Sequence, residues 1–156
     1  MDTSMDKIWE EVTGQFRCGL GSIHGIEHWR RVEKNGLAIA SETPGANVEV
    51  VRLFAVLHDS QRLYDHEDPL HGERAAAYAE RLRGGLVHLD DHWSKILYHA
   101  LRLHAKGLTS PDPTVGACWD ADRLDLTRLD IDPDPSLMST EAGHRMATAM
   151  LQGHLF

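Results

Sequence analysis

Val48–Asp59, VEVVRLFAVLHD, decides how the rest of the chain is read. Val51, Phe54, Ala55 and His58 recur at the spacing of one helical face, and the apolar residues among them predict a helix buried at the centre of a core. The turn-forming segment TPGAN, Thr43 to Asn47, precedes it and offers Asn47 as the cap of its first turn. A central helix needs helices around it, and helical periodicity supplies them on both sides. One is expected from Ser4 to about Arg17 (Ile8, Val12, Phe16), stopped by Gly19 and Gly21. A second runs from about Gly25 to Ala40, carrying Ile26, Trp29, Val32, Leu37 and Ile39. A fourth starts near Pro69, placed in its first turn, and continues through AAAYAERL to Gly84; a fifth covers Asp90 to His104 and a short sixth about Val115 to Leu126. DIDPDP, Asp130 to Pro135, is a loop, and a last helix, Glu141 to Gln152, follows Ser139 or Thr140 as a candidate capping box. Alternating strand patterns are nearly absent, and no internal repeat or low-complexity segment occurs. The expected fold is all-α, a single domain over residues 1–156 with six to seven helices.

Composition narrows the function classes. The chain has 156 residues, 42% hydrophobic and 26% charged, which excludes general disorder. No apolar run approaches the roughly 18 residues of a membrane helix, and the opening MDTSMDKIWEE lacks a signal-peptide pattern, so a cytoplasmic protein without a membrane partner is expected. Sixteen basic residues against 24 acidic ones leave a net charge of −8, and no Lys/Arg run exceeds two. Such a surface repels a phosphate backbone, which argues against a nucleic-acid polymer as partner. Cys18 and Cys118 form no C-x-x-C pair and are expected as two reduced, buried thiols.

The chemistry concentrates in a histidine excess, 11 residues in all. His58-Asp59 falls at the carboxyl end of the apolar helix, where the helix dipole disfavours a carboxylate; a nearby metal ion reverses that penalty. His28 lies one helix earlier in HGIEHWRRV, and Asp122 lies late in the chain in CWDADRLDL. Three separate helices thus bring imidazole and carboxylate groups, the pattern of ligands converging in a helical core. Asp120 precedes Asp122 by two residues and points elsewhere on a helix. His24 to His28 matches H-x-x-E-H, but Gly25 makes His24 a pre-helix residue and breaks the i, i+4 geometry a zinc protease needs. His66-Glu67 fails as H-E-x-x-H because position 70 is Leu70 and Pro69 interrupts the helix. No P-loop, dinucleotide fingerprint or G-x-S-x-G elbow occurs.

The order His, His-Asp, Asp, in the local texts EHWRRV, LFAVLHDS and DADRLDL, resembles the HD superfamily of metal-dependent phosphohydrolases over residues of about 24–128. The resemblance implies an HD-type helical bundle in which His28, His58, Asp59 and Asp122 hold one divalent ion (Mn, Fe, Zn, Co, Ni or Mg). It implies hydrolysis of a phosphoester or phosphoanhydride of a nucleotide or related small phosphorylated metabolite. His71 and His104 stand where some members carry two further imidazoles for a second ion, with the Asp of the His-Asp pair shared; substrate contact for His71 and a helix-terminal His104 are the alternatives. Some members place a Glu three residues after that Asp, and others a Lys; here Arg62 occupies the position and looks like a phosphate clamp. Asp59 and Arg62 are therefore the candidate catalytic residues, and Arg62, Lys106 and Arg123 the candidates for substrate phosphate. His24, His66, His88, His92, His99, His144 and His154 are expected at the surface or behind the ligands. The missing Glu leaves open a metal- or nucleotide-binding module without turnover, and a helical structural or dimerising protein is the third reading. A homo-oligomer is compatible with the sequence.

Overall fold

The structure is a computed structural model and describes residues 3–153. Seven α-helices are found among these residues: α1 (Thr3–Gln15), α2 (Ile26–Ser41), α3 (Val48–Leu57), α4 (His71–Leu82), α5 (Asp91–Leu103), α6 (Pro113–Arg123) and α7 (Glu141–Gly153). Two short 3₁₀ segments, Leu124–Leu129 and Pro135–Leu137, lie between α6 and α7. Among the described residues no strand forms, only an isolated bridge between Arg83 and Val87. The fold is an all-α bundle.

α3 is the centre, as its sequence requires. From Val50 to Leu57 every side chain except Arg52 is buried, and the helix packs against α1, α2, α5 and α6. Asn47 caps it by accepting the Val50 N–H at 3.1 Å. Trp29 of α2 and Trp119 of α6 are the largest fully buried side chains, and each indole N–H is satisfied by a carbonyl: Trp29 by His24 at 2.8 Å, Trp119 by Ala100 at 2.9 Å.

Several boundaries differ from expectation for local reasons. α4 begins at His71, not Pro69: Asp68 accepts the Leu63 N–H at 2.8 Å and both its oxygens take Arg74 Nη2 at 2.6 Å, so Pro69 and Leu70 belong to a braced turn before the helix. α6 starts earlier, at Pro113, because Asp112 accepts the N–H groups of Thr114 and Val115, and it tightens into the 3₁₀ segment at Leu124 rather than running to Leu126. α3 ends at Leu57, two residues short of Asp59. Thr140 caps α7 alone by accepting the Gly143 N–H at 2.9 Å; a capping box does not form because no Glu or Gln stands three residues on. Both cysteines are free, Cys118 buried in the core and Cys18 only half-buried.

Two glycines permit close approaches between helices. A Cβ at Gly72 would sit 2.8–2.9 Å from the backbone oxygens of Arg102 and Leu101, so glycine lets the start of α4 press onto the end of α5. A Cβ at Gly143 would overlap the Asp120 carboxylate, which accepts the N–H groups of Ser139 and Thr140 and the Thr140 hydroxyl, each at 2.7 Å. Asp120 therefore does point away from the other α6 acid, and its work is to hold α7.

Candidate metal centre

Six donor side chains from five helices or helix ends meet beneath the carboxyl end of α3. His28 projects from α2, His58 closes α3, Asp59 follows in the turn, His71 opens α4, His104 closes α5 and Asp122 projects from α6. His58 and His104 share one local reason for their pose. Each follows a helix whose last carbonyls lack intrahelical partners, and each donates its Nδ1–H to the carbonyl three residues back: Ala55 at 2.9 Å and Leu101 at 2.7 Å. His71 does the same to Asp68, at 2.5 Å. His28 sits inside a helix whose carbonyls are already bonded, and its Nδ1–H goes instead to the Asp125 carboxylate at 2.7 Å.

These four partners only accept, so each takes the Nδ1 proton and leaves Nε2 as the atom that the ring presents to the centre. All four Nε2 atoms turn inward. His28 and His58 face each other at 3.0 Å; Asp59 Oδ2 lies 3.2 Å and 3.5 Å from them, and Asp122 Oδ1 3.2 Å and 3.4 Å. His71 and His104 face each other at 3.0 Å, with Asp59 Oδ1 at 3.3 Å and 3.4 Å. Nitrogen lone pairs and carboxylate oxygens at such separations repel unless a proton or a metal ion stands between them. Separations of this size match neighbouring donors around one ion bonded at about 2.0–2.2 Å. Asp122 Oδ1 is buried with no hydrogen-bond donor. The donor set thus fits a divalent metal ion, and the cluster could hold one at His28, His58 and Asp59 and one at Asp59, His71 and His104.

Electrostatics point the same way. Burial alone would raise the Asp59 pKa, but the His58 imidazole beside it and the His104, His24 and His28 rings around it hold it well below the usual carboxylate range. Asp122 is lowered likewise, His58 and His28 outweighing burial. For His28, burial disfavours the charged ring, yet Asp122, Asp125 and Asp59 push its pKa up to about 10. The centre strongly favours positive charge.

The candidates for substrate divide. Arg62 reaches the centre: its Nε lies 3.5 Å from Asp59 Oδ1, while Nη1 donates to the carbonyls of Tyr64 and His66. Lys106 is exposed and pairs with Glu73 at 3.7 Å. Arg123 donates to the carbonyls of Leu137 and Leu108, tying two loops together. Two further residues join the centre. Asp125, from the 3₁₀ segment, is buried behind His28 and also accepts from Arg31 Nε at 2.8 Å. His24 is buried, donates its Nε2–H to the Asp65 carbonyl at 3.0 Å and places Nδ1 3.6 Å from Asp59 Oδ2. It belongs behind the ligands rather than at the surface. His66, His88, His92, His99 and His144 are exposed, and His154 lies outside the described residues.

No protein-family model and no curated protein matches the sequence. Among solved structures, the chain is similar to a predicted HD superfamily hydrolase from an uncultured Thermotogales bacterium, with a TM-score of 0.76 and 25% identity over 96% of this chain and 86% of the other. The likeness and the buried His/Asp cluster together support a metal-dependent hydrolase. In fold this chain is similar to that predicted HD superfamily hydrolase, and its His, His-Asp and Asp motifs meet at one buried centre.

Proposed function

We propose that the protein is a metal-dependent phosphohydrolase that cleaves a phosphoester or phosphoanhydride of a nucleotide or related small phosphorylated metabolite. The observation that carries this reading is Asp59, whose two oxygens each face a separate pair of inward-turned imidazoles while the Arg62 guanidinium stands 3.5 Å away. Asp59, His28, His58 and Asp122 would hold one divalent ion, and Asp59, His71 and His104 a second. Such ions supply Lewis acidity toward a phosphoryl oxygen and lower the pKa of water.

The chain's own groups do the rest. Asp59 orients the attacking water at the point where the two imidazole pairs meet. Arg62, held from behind by the Tyr64 and His66 carbonyls, offers a positioned cation to phosphoryl oxygens. Lys106, in the glycine-containing loop after α5, supplies a second cation once it leaves Glu73, an exposed pairing that costs little to break. Arg123 takes no part in phosphate binding in this reading, because its guanidinium is committed to two loop carbonyls. In a chain of net charge −8, local cations of this kind are what admit an anionic substrate.

The test is phosphate or pyrophosphate release from a nucleotide panel with Mn²⁺, Co²⁺, Ni²⁺, Fe²⁺, Zn²⁺ or Mg²⁺ supplied to metal-free protein. Turnover of at least one nucleotide, lost in Asp59→Ala, is expected. Tight nucleotide binding without release under any metal would instead establish a binding module.

A further inference from the structure

The two candidate ion positions share Asp59 but are otherwise built differently. At the first, the donors are His28, His58, Asp59 Oδ2 and Asp122 Oδ1, two of them carboxylate oxygens. At the second they are His71, His104 and Asp59 Oδ1, with one carboxylate oxygen. The support behind the imidazoles differs too. His58, His71 and His104 are backed by neutral carbonyls, whereas His28 alone of the four is backed by a carboxylate, Asp125. A carboxylate behind an imidazole raises its basicity as a ligand and locks its orientation. Asp125 is itself locked: Arg31 Nε donates to Oδ1 at 2.8 Å, turning Oδ2 to His28, and Arg128 Nη1 donates to its backbone carbonyl at 2.8 Å.

A cation weighs against the second position. Arg62 Nε lies 3.5 Å from Asp59 Oδ1, the oxygen that position needs. An ion already bound at Oδ2 adds like-charge repulsion at short range.

We propose that the two positions load in order, the Arg31–Asp125 pair behind His28 making the His28/His58/Asp59/Asp122 position tight and leaving the Asp59/His71/His104 position weak and exchangeable. Arg31 and Asp125 are positioning residues here, acting through His28. The proposal rests on the reading of the cluster as a divalent-metal centre.

The experiment titrates Mn²⁺ into metal-free full-length protein and follows free Mn²⁺ by electron paramagnetic resonance. Two steps at least about tenfold apart are expected. His71→Gln should remove the weaker step alone. Asp125→Asn, which keeps the size but removes the charge, should weaken the tighter step by about 10–100-fold and leave the weaker one in place, and Asp125→Glu should recover part of the loss. Arg31→Gln should weaken the tighter step several-fold; its side chain is half-exposed, so this variant reads the relay even if Asp125→Asn does not fold. Two ions bound in one step, equal weakening of both steps by Asp125→Asn or Arg31→Gln, or loss of the tighter step in His71→Gln would each overturn the loading order while leaving the hydrolase reading intact. Absence of any Mn²⁺ binding, with the other divalent ions equally silent, would bring down both.

Discussion

Asp59 divides its two oxygens between two pairs of imidazoles, so one substitution reaches both halves of the centre. Asp59→Ala should leave the purified protein without bound metal by elemental analysis and reduce phosphate release to the level of the metal-free protein. His28 carries the pH dependence. In the empty centre its proton stays on up to about pH 10, well above the ordinary 6.5. A metal needs the Nε2 lone pair, so below about pH 10 uptake displaces a proton. Apparent affinity should therefore climb by up to about tenfold per pH unit toward pH 10 and then level off. The same proton stabilises the empty fold fully below pH 6.5, and that contribution fades as pH rises through about 10. Proton release on Mn²⁺ addition, measured calorimetrically in buffers of different ionisation enthalpy, checks the sign. At this scale the chain was partly readable. His58-Asp59 announces itself because a carboxylate after an apolar helix is electrostatically odd. Asp125 does not, since its partner His28 lies 97 residues away and the pairing exists only after folding. Lys106 and Arg123 look like free cations in sequence, and only the folded chain shows Glu73 and the loop carbonyls claiming them.

Among elements, the second imidazole pair depends on how closely α4 meets α5. Gly72→Ala places a methyl against the Leu101 and Arg102 carbonyls, and overpacking of this kind costs about 1–3 kcal/mol. His71 and His104 flank that contact, so the variant should lose Mn²⁺ at the second position while keeping it at the first, as read by the titration above. The helix α3 was legible from its apolar run and from Asn47 before it. The start of α4 was not, because the Asp68–Arg74 brace that displaces Pro69 from the helix links side chains whose pairing no local pattern encodes.

For the whole molecule, metal and fold are linked. A ligand held at about 100 times its dissociation constant stabilises the folded state by about 2.7 kcal/mol, which for a chain of this size raises Tm by roughly 5–10 °C. Thermal unfolding with and without Mn²⁺ should show that shift, and a chelator should reverse it. Fold class was readable throughout the chain because helical periodicity is a local property. The likeness to an HD superfamily hydrolase was readable from the order His28, His58-Asp59, Asp122, although the sequence matches no family model. Among the described residues no helix is long and apolar enough to cross a membrane.

The helix α6 carries two acids with opposite loyalties. Asp122 turns to the metal centre, and Asp120, two residues earlier, holds the start of α7 through three hydrogen bonds. The start of α7 is therefore tied, through Thr140 and Asp120, to the helix that presents Asp122 to the candidate metal centre. Asp120→Ala removes that tie and leaves three donors without their acceptor, at a cost of about 1–3 kcal/mol for each that stays buried. Hydrogen exchange should then accelerate in α7.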